Sequence, residues 1–232
     1  MKEKNLIILI PPSEGKSSKN TSNIKFGDTH FIFEKEVKKI LKKLKLLEDQ
    51  DIQKVYGVSL EKSKKLHEMN LNIMDNECSF SIERYTGIVY SQINLNNLSS
   101  KSKSYFDDHI NIFSGLFGIV TPKTLIPNYK LKMNSLSLAK FWSTILTKHL
   151  ENEELVIDLL PQIHSKAYEH SNIKKIDFLI NKGNKMRPSG HLGKVVKGQF
   201  IKFLIENCVE SIKDFEKFHF DNYKWDGENF IK

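Results

Sequence analysis

Lys16 sits in Ser13-Glu14-Gly15-Lys16-Ser17, a polar turn that follows the apolar run Leu6 to Ile10 and two prolines, Pro11 and Pro12. Gly-Lys-Ser after an apolar strand is how a Walker-type phosphate loop ends; there, successive backbone N–H groups wrap the phosphates and the lysine reaches them. That loop also needs a turn-forming glycine at the position filled here by Ile10, and Pro11 and Pro12 have no N–H to offer. Leu155-Val156-Ile157-Asp158 imitates the companion strand that ends in a magnesium-binding aspartate, but an apolar run followed by Asp describes many strand ends. The sequence therefore argues against an NTPase. What remains is Ser13, Glu14 and Lys16 at the carboxyl end of a strand, where open sheets commonly hold ligands; an exposed turn with a solvated lysine is the plain alternative.

Other reactive residue types fall into no familiar constellation. Asp107-Asp108-His109 has three metal-capable side chains, but neighbours on a helix point in different directions. His164 and His170 stand six apart, a spacing that no common zinc motif uses. Cys78 and Cys208 are isolated, which favours reduced thiols over a disulfide or a thiolate site. No Gly-x-Ser-x-Gly elbow supports a nucleophilic serine. Neither a metal nor a cofactor is expected.

A stronger signal runs from Asp49 to Met69, where two short amphipathic helices meet at the apolar-Gly-apolar turn Tyr56-Gly57-Val58, followed by Ser59, small Ser63 and apolar Leu66. This resembles a helix-hairpin-helix, in which the bare N–H groups and dipole at the start of the second helix grip a DNA phosphate. Lys62, Lys64 and Lys65 would add positive charge there. Ser59 replaces the motif's usual second glycine, and an ordinary helical hairpin with a glycine C-cap fits the stretch as well. Near the other end of the chain, His191, Lys194 and Lys197 are three apart and, if helical, fall within about a third of the circumference. Beside Gly190, Gly193 and Gly198, that basic stripe would let a phosphate backbone come close; solvation of a C-terminal helix is the alternative.

The elements that must carry these residues are legible in outline. Leu6 to Ile10 reads as a buried strand, Phe31 to Leu47 and Ser137 to Glu151 as amphipathic helices, and Leu155 to Leu160 as another buried strand. His149 lies on the apolar stripe of the second helix and is expected to be packed. Ile176 to Ile180 and the segment after Asn181-Lys182-Gly183-Asn184 predict a β-hairpin, Gly193 to Cys208 a helix, and the tail with Tyr223, Trp225, Asp226-Gly227 and Phe230 an aromatic hairpin. No repeat or linker interrupts the 232 residues, so one mixed α/β domain is expected over 1–232. Lys and Arg number 36 against 28 Asp and Glu, a net +8 that favours an anionic partner such as nucleic acid or a phosphorylated ligand. The first apolar run is too short for a signal or membrane segment, so a cytoplasmic protein is expected.

Taken in order, several segments resemble the YaaA family of bacterial peroxide stress proteins: Pro11 to Lys16, Tyr85-Thr86-Gly87-Ile88-Val89-Tyr90, Ser114-Gly115-Leu116-Phe117-Gly118, Pro122, Tyr129-Lys130-Leu131-Lys132-Met133, Phe141-Trp142, Val156 to Leu159, and Lys194 to Asn207. The resemblance implies a compact mixed α/β domain of the YaaA type with an embedded helix-hairpin-helix at 49–69. It also implies binding to double-stranded DNA, branched forms included, and a role in limiting iron-driven peroxide damage. The hairpin falls on Tyr56, Gly57, Val58 and Ser59, and the family's basic cleft on Lys16, Lys130, Lys194 and Lys197, with Ser13, Glu14 and His191 beside it. The stretch from Pro161 to Gly190 matches poorly and receives no site. Membrane and protein partners are not expected. The competing reading is an enzyme acting on a nucleotide or nucleic acid around Ser13, Glu14, Lys16 and Lys194, which requires a buried Glu14 within reach of both lysines. Direct iron binding has no recognisable ligand set.

Overall fold

The structure, a computed structural model, describes residues 6–93, 97–183 and 185–232. Strand β1 (Leu6–Ile10) is buried along its whole length and lies in the middle of a five-stranded sheet. On one side it pairs in parallel with β3 (Ile110–Ser114), which in turn carries antiparallel β4 (Gly118–Val120) at the edge. On the other side follow β6 (Leu155–Asp158) and β7 (Ile173–Lys175), both parallel. A strand covered on both faces must be apolar at every position, which is why the β1 segment shows no alternation.

Before the second of these sheet strands in the chain come α1 (Glu34–Lys45), α2 (Asp49–Tyr56), α3 (Leu60–Leu71), β2 (Cys78–Phe80), α4 (Ser81–Arg84), α5 (Ile88–Ser91) and α6 (Ser100–His109). Helix α1 is shorter than its apolar pattern predicts because Phe31 and Phe33 pack as aromatic anchors ahead of it, against Phe26, Phe117 and Trp142. β5 (Leu125–Pro127) pairs antiparallel with β2, and α7 (Leu138–Leu150) buries Trp142, whose indole N–H donates to the Gly115 carbonyl at 3.0 Å. His149 packs edge-on to Phe33, and burial holds its pKa below the ordinary value.

The strand predicted to reach Leu160 stops at Asp158, because the Asp158 carboxylate accepts the Leu160 N–H and folds the chain over. A short α8 (Gln162–Ser165) follows. The predicted hairpin is present as β8 (Phe178–Lys182) and β9 (Lys185–Pro188); Asn184 of its turn lies outside the described residues. Helix α9 (Gly190–Glu206) starts three residues earlier than its apolar spacing suggested and packs along α5, α6 and β8. The tail forms the expected hairpin, β10 (Lys224–Trp225) with β11 (Phe230–Ile231), and β11 also joins β8 in parallel. One contiguous apolar cluster runs from Leu6 to Phe230, so the α and β elements share a core.

Candidate functional site

All the parallel strands end on one edge of the main sheet, and the loops that leave them meet there. Pro11, Pro12 and Ser13 come from β1, Gly115 from β3, Leu160 and Pro161 from β6, and Asp177 from beyond β7; together with residues 129–134 and the start of α9 they enclose a cleft of about 790 Å³. Five lysines line it, Lys16, Lys130, Lys132, Lys194 and Lys197, against the carboxylates Glu14 and Asp177.

Lys16 is half-buried. The segment around it is stitched to residues 84–86 by Ser17 N–H to Arg84 O at 2.8 Å and Thr86 N–H to Gly15 O at 3.0 Å. Its ammonium group donates to Ser13 O at 2.9 Å and stands 4.3 Å from the centre of the Tyr129 ring and 5.4 Å from that of Tyr85. Those rings are fixed from below: the Tyr85 and Tyr129 hydroxyls share a hydrogen bond of 2.7 Å, and Tyr129 shares another of 2.7 Å with Ser114. Burial, helped by repulsion from Lys130, pushes the Lys16 pKa down to about 7. Behind the loop, buried Arg84 donates to the Ser17 and Lys19 carbonyls and to Asn20 Oδ1, so a cation rather than an apolar plug holds its shape.

Glu14 behaves differently. Its side chain is 65% exposed and pairs with Lys130 at 3.1 Å and Lys132 at 3.0 Å, not with Lys16 or Lys194. Partial burial works against its ionisation, but the hydrogen bonds from Lys132 and Lys130 outweigh this and hold the carboxyl below its ordinary pKa. The buried acid that the enzyme reading needs is therefore not Glu14.

On α9, Lys194 is exposed at the cleft, and Lys197 turns inward to donate to Leu159 O, with its pKa pushed down to about 8 by burial and by Lys175. His191 is exposed on the first turn and does not line the cleft. Of the three glycines expected beside a phosphate backbone, Gly190 and Gly193 line the cleft, but Gly198 does not. A Cβ there would lie 2.6 Å from Val89 O and 2.7 Å from the Gln92 side chain, so its role is close packing on α5.

The predicted hairpin region forms two helices joined by a tight turn. Gly57 caps α2 in the left-handed conformation (φ 65°), a place where nearly any other residue would be strained. Ser59 precedes α3 without a side-chain cap, leaving the first-turn amides of α3 uncapped by it. Tyr56 is buried and Val58 half-buried, whereas Lys62, Lys64 and Lys65 are exposed. Lys64 pairs with Asp49 at 2.6 Å and Lys65 with Glu61 at 2.7 Å, so much of the local positive charge is already balanced. Hairpin and cleft are joined by Asn70: its amide donates to Tyr56 Oη at 2.9 Å and Lys130 O at 2.8 Å, and its carbonyl accepts Lys130 N–H at 3.0 Å.

Sequence reasoning missed Lys132, although Lys-Leu-Lys with buried Leu131 between is the alternation that puts both lysines on one side. It also missed His164, which lines the cleft with both ring nitrogens buried and without a hydrogen-bond partner, its pKa pushed down to about 4 mainly by burial. Asp158, the imitation of a magnesium ligand, accepts from Leu160 N–H, Ser165 Oγ, Tyr168 Oη and Lys175 Nζ, and is occupied in shaping the cleft floor. Asp107 pairs with Lys123, Asp108 accepts from Ser104, and His109 donates to Leu6 O, so that trio diverges as expected.

Residues 6–229 match the family described as peroxide stress protein YaaA, and the chain belongs to that family. Among similar proteins, a UPF0246 protein of Francisella tularensis subsp. tularensis (strain SCHU S4 / Schu 4) is 27% identical over 243 residues, spanning 95% of this chain and 94% of the relative. A UPF0246 protein of Francisella philomiragia subsp. philomiragia is 25% identical over 244 residues, spanning 96% of each. Among the described residues no helix is long and apolar enough to cross a membrane.

Proposed function

We propose that this peroxide stress family member binds duplex DNA, branched forms included, with the cleft lysines tracking one phosphate backbone and the α2–α3 turn acting as a helix-hairpin-helix on a neighbouring phosphate. The observation that carries the reading is the set of five cleft lysines facing only two carboxylates, on a wall that Asn70 fastens to the hairpin. Ammonium groups on long side chains suit a polyanion because they neutralise phosphates without demanding one base sequence. The hairpin alone is a weaker anion site: Glu48, Asp49, Asp51 and Glu61 offset Lys54, Lys62, Lys64 and Lys65. Its contribution is the start of α3, where Gly57 allows a close approach and the helix dipole favours an anion. In peroxide stress, the consequence of such coverage is less damage to DNA by unincorporated iron.

The test is a titration of labelled duplex and branched DNA across a salt series. Each phosphate contact contributes a slope of about −0.9 in log affinity against log salt, so the cleft and hairpin together should give roughly −3 to −6. Lys194→Met and Lys62→Met should each flatten it by about one contact. Little binding at low salt would refute the reading.

A further inference from the structure

We propose that Lys16 is a nucleophile that captures, as a covalent imine, an aldehyde flanked by phosphates: the ring-opened sugar of a base-free site in DNA held in the cleft. The inference rests on the DNA reading above and goes beyond it, because a backbone-binding cleft needs no reactive amine.

Lys16 is placed unlike Lys130, Lys132 and Lys194. Lys194 and Lys132 are exposed, and Lys130 and Lys132 share Glu14. Lys16 instead has its amine turned inward on the rings of Tyr129 and Tyr85, with the Ser13 carbonyl as its hydrogen-bond acceptor. Lysines that attack carbonyls are those held away from water beside other cations, since only the neutral amine has a lone pair to donate. The groups that set its charge are Lys130 and Arg84, which disfavour protonation, and Glu14, which favours it; with burial as the largest influence they bring the pKa to about 7. Near neutral pH a substantial fraction of Lys16 is therefore unprotonated.

The reaction balances without any further reagent. The neutral Nζ attacks the aldehyde carbon C1′, the carbonyl oxygen takes up the two amine protons and leaves as water, and a C=N bond remains. Its protonated, iminium form keeps the positive charge over the tyrosine faces that already face the ammonium group. The cleft, about 790 Å³, is of a size that takes a nucleotide residue turned out of a duplex, and such turning is easiest where the base is missing.

The experiment uses the full chain with end-labelled duplex carrying one base-free site. Sodium borohydride reduces C=N to a stable amine, and the adduct is read on a denaturing gel and located by peptide mass spectrometry. Duplex affinity is measured in parallel by fluorescence anisotropy. The expected result is an adduct on Lys16 with base-free duplex and none with intact duplex. With duplex saturating, Lys16→Met should lose at least ten-fold in adduct yield, while duplex affinity falls by no more than about eight-fold at 0.1 M salt, the contribution of one phosphate contact. Intact-duplex binding without any adduct would overturn the imine and leave the DNA reading standing, whereas absence of duplex binding would overturn the DNA reading itself. An adduct that persists in Lys16→Met, or one formed on Lys16 by free 2-deoxyribose 5-phosphate but not by base-free duplex, would overturn the assignment of residue or of substrate.

Discussion

Removing a charged side chain from a binding cleft usually weakens binding; at Glu14 the opposite is expected. Its carboxylate neutralises part of the pair Lys130 and Lys132, at 3.1 and 3.0 Å, and leaves them one net positive charge between them. Glu14→Gln keeps the shape, leaves one acceptor oxygen where the two ammonium groups had two, and raises the local charge by one. If the lysines face a phosphate backbone, the variant gains about one counterion-releasing contact and the log–log salt slope steepens by about 0.9. The affinity gain from that slope is about eight-fold at 0.1 M salt and about three-fold at 0.3 M. Stability should hardly move, because exposed ion pairs contribute only about 0–1 kcal/mol. Anisotropy titrations of wild type and variant at four salt concentrations measure both quantities. Equal or weaker binding by Glu14→Gln would remove these two lysines from the interface, and a gain that is the same at every salt concentration would show that its origin is not charge.

Gly57→Val should lose about 1–2 kcal/mol of stability through its φ of 65°, since a Cβ at Gly57 meets nothing within 4 Å, and should weaken DNA binding, while Gly57→Asn retains both more nearly; paired denaturation and binding curves decide. Asn70→Ala should cost about 2–4 kcal/mol by orphaning the Lys130 N–H and carbonyl and the Tyr56 hydroxyl, and a loss under about 0.5 kcal/mol by urea denaturation would refute the clamp. His164 has a folded pKa of about 4, below the ordinary 6.5, so between these values the unfolded chain takes up a proton that the folded chain refuses. Stability should therefore fall by about 1–3 kcal/mol as pH drops from 6.5 to 4, and His164→Phe should flatten that part of the curve; an unchanged slope counts against the buried neutral ring.

Much of the frame could be read because it is local. Leu6 to Ile10 is too uniformly apolar to be anything but a doubly covered strand, and the hairpin through Gly183 announces its own turn. What stayed hidden depends on partners distant in sequence. Asp158 shows its type at a strand end but not that Ser165, Tyr168 and Lys175 fill its acceptor positions, and Phe230 does not announce that it pairs with Phe178. Only the family resemblance joins Lys16, Lys130, Lys194 and Lys197, since no spacing rule links residues so far apart. Of the stripe on α9, Lys194 and Lys197 line the cleft and His191 does not, for a geometric reason. Residues three apart rotate by about 60°, so His191 and Lys197 diverge by about 120°, too wide for a single cleft wall.

The topology also explains why a near-miss of a phosphate loop stands where it does. Parallel strands β1, β3, β6 and β7 bring their carboxyl ends to one edge, the position at which open sheets receive ligands, so any turn after β1 faces the site. In a Walker loop, amides in that turn cradle the compact phosphate group of one nucleotide. Pro11 and Pro12 remove those donors, and Tyr90 Oη donates to the Pro11 carbonyl at 2.7 Å, which leaves Pro11 with an acceptor already in use. Under the proposed reading, anions would therefore be met not by the main chain but by the ammonium groups spread over the cleft. Amides at a fixed turn select a compact phosphate group, while lysines at several positions suit a chain of phosphates. Binding at this edge should accordingly weaken steeply with salt and proceed without magnesium.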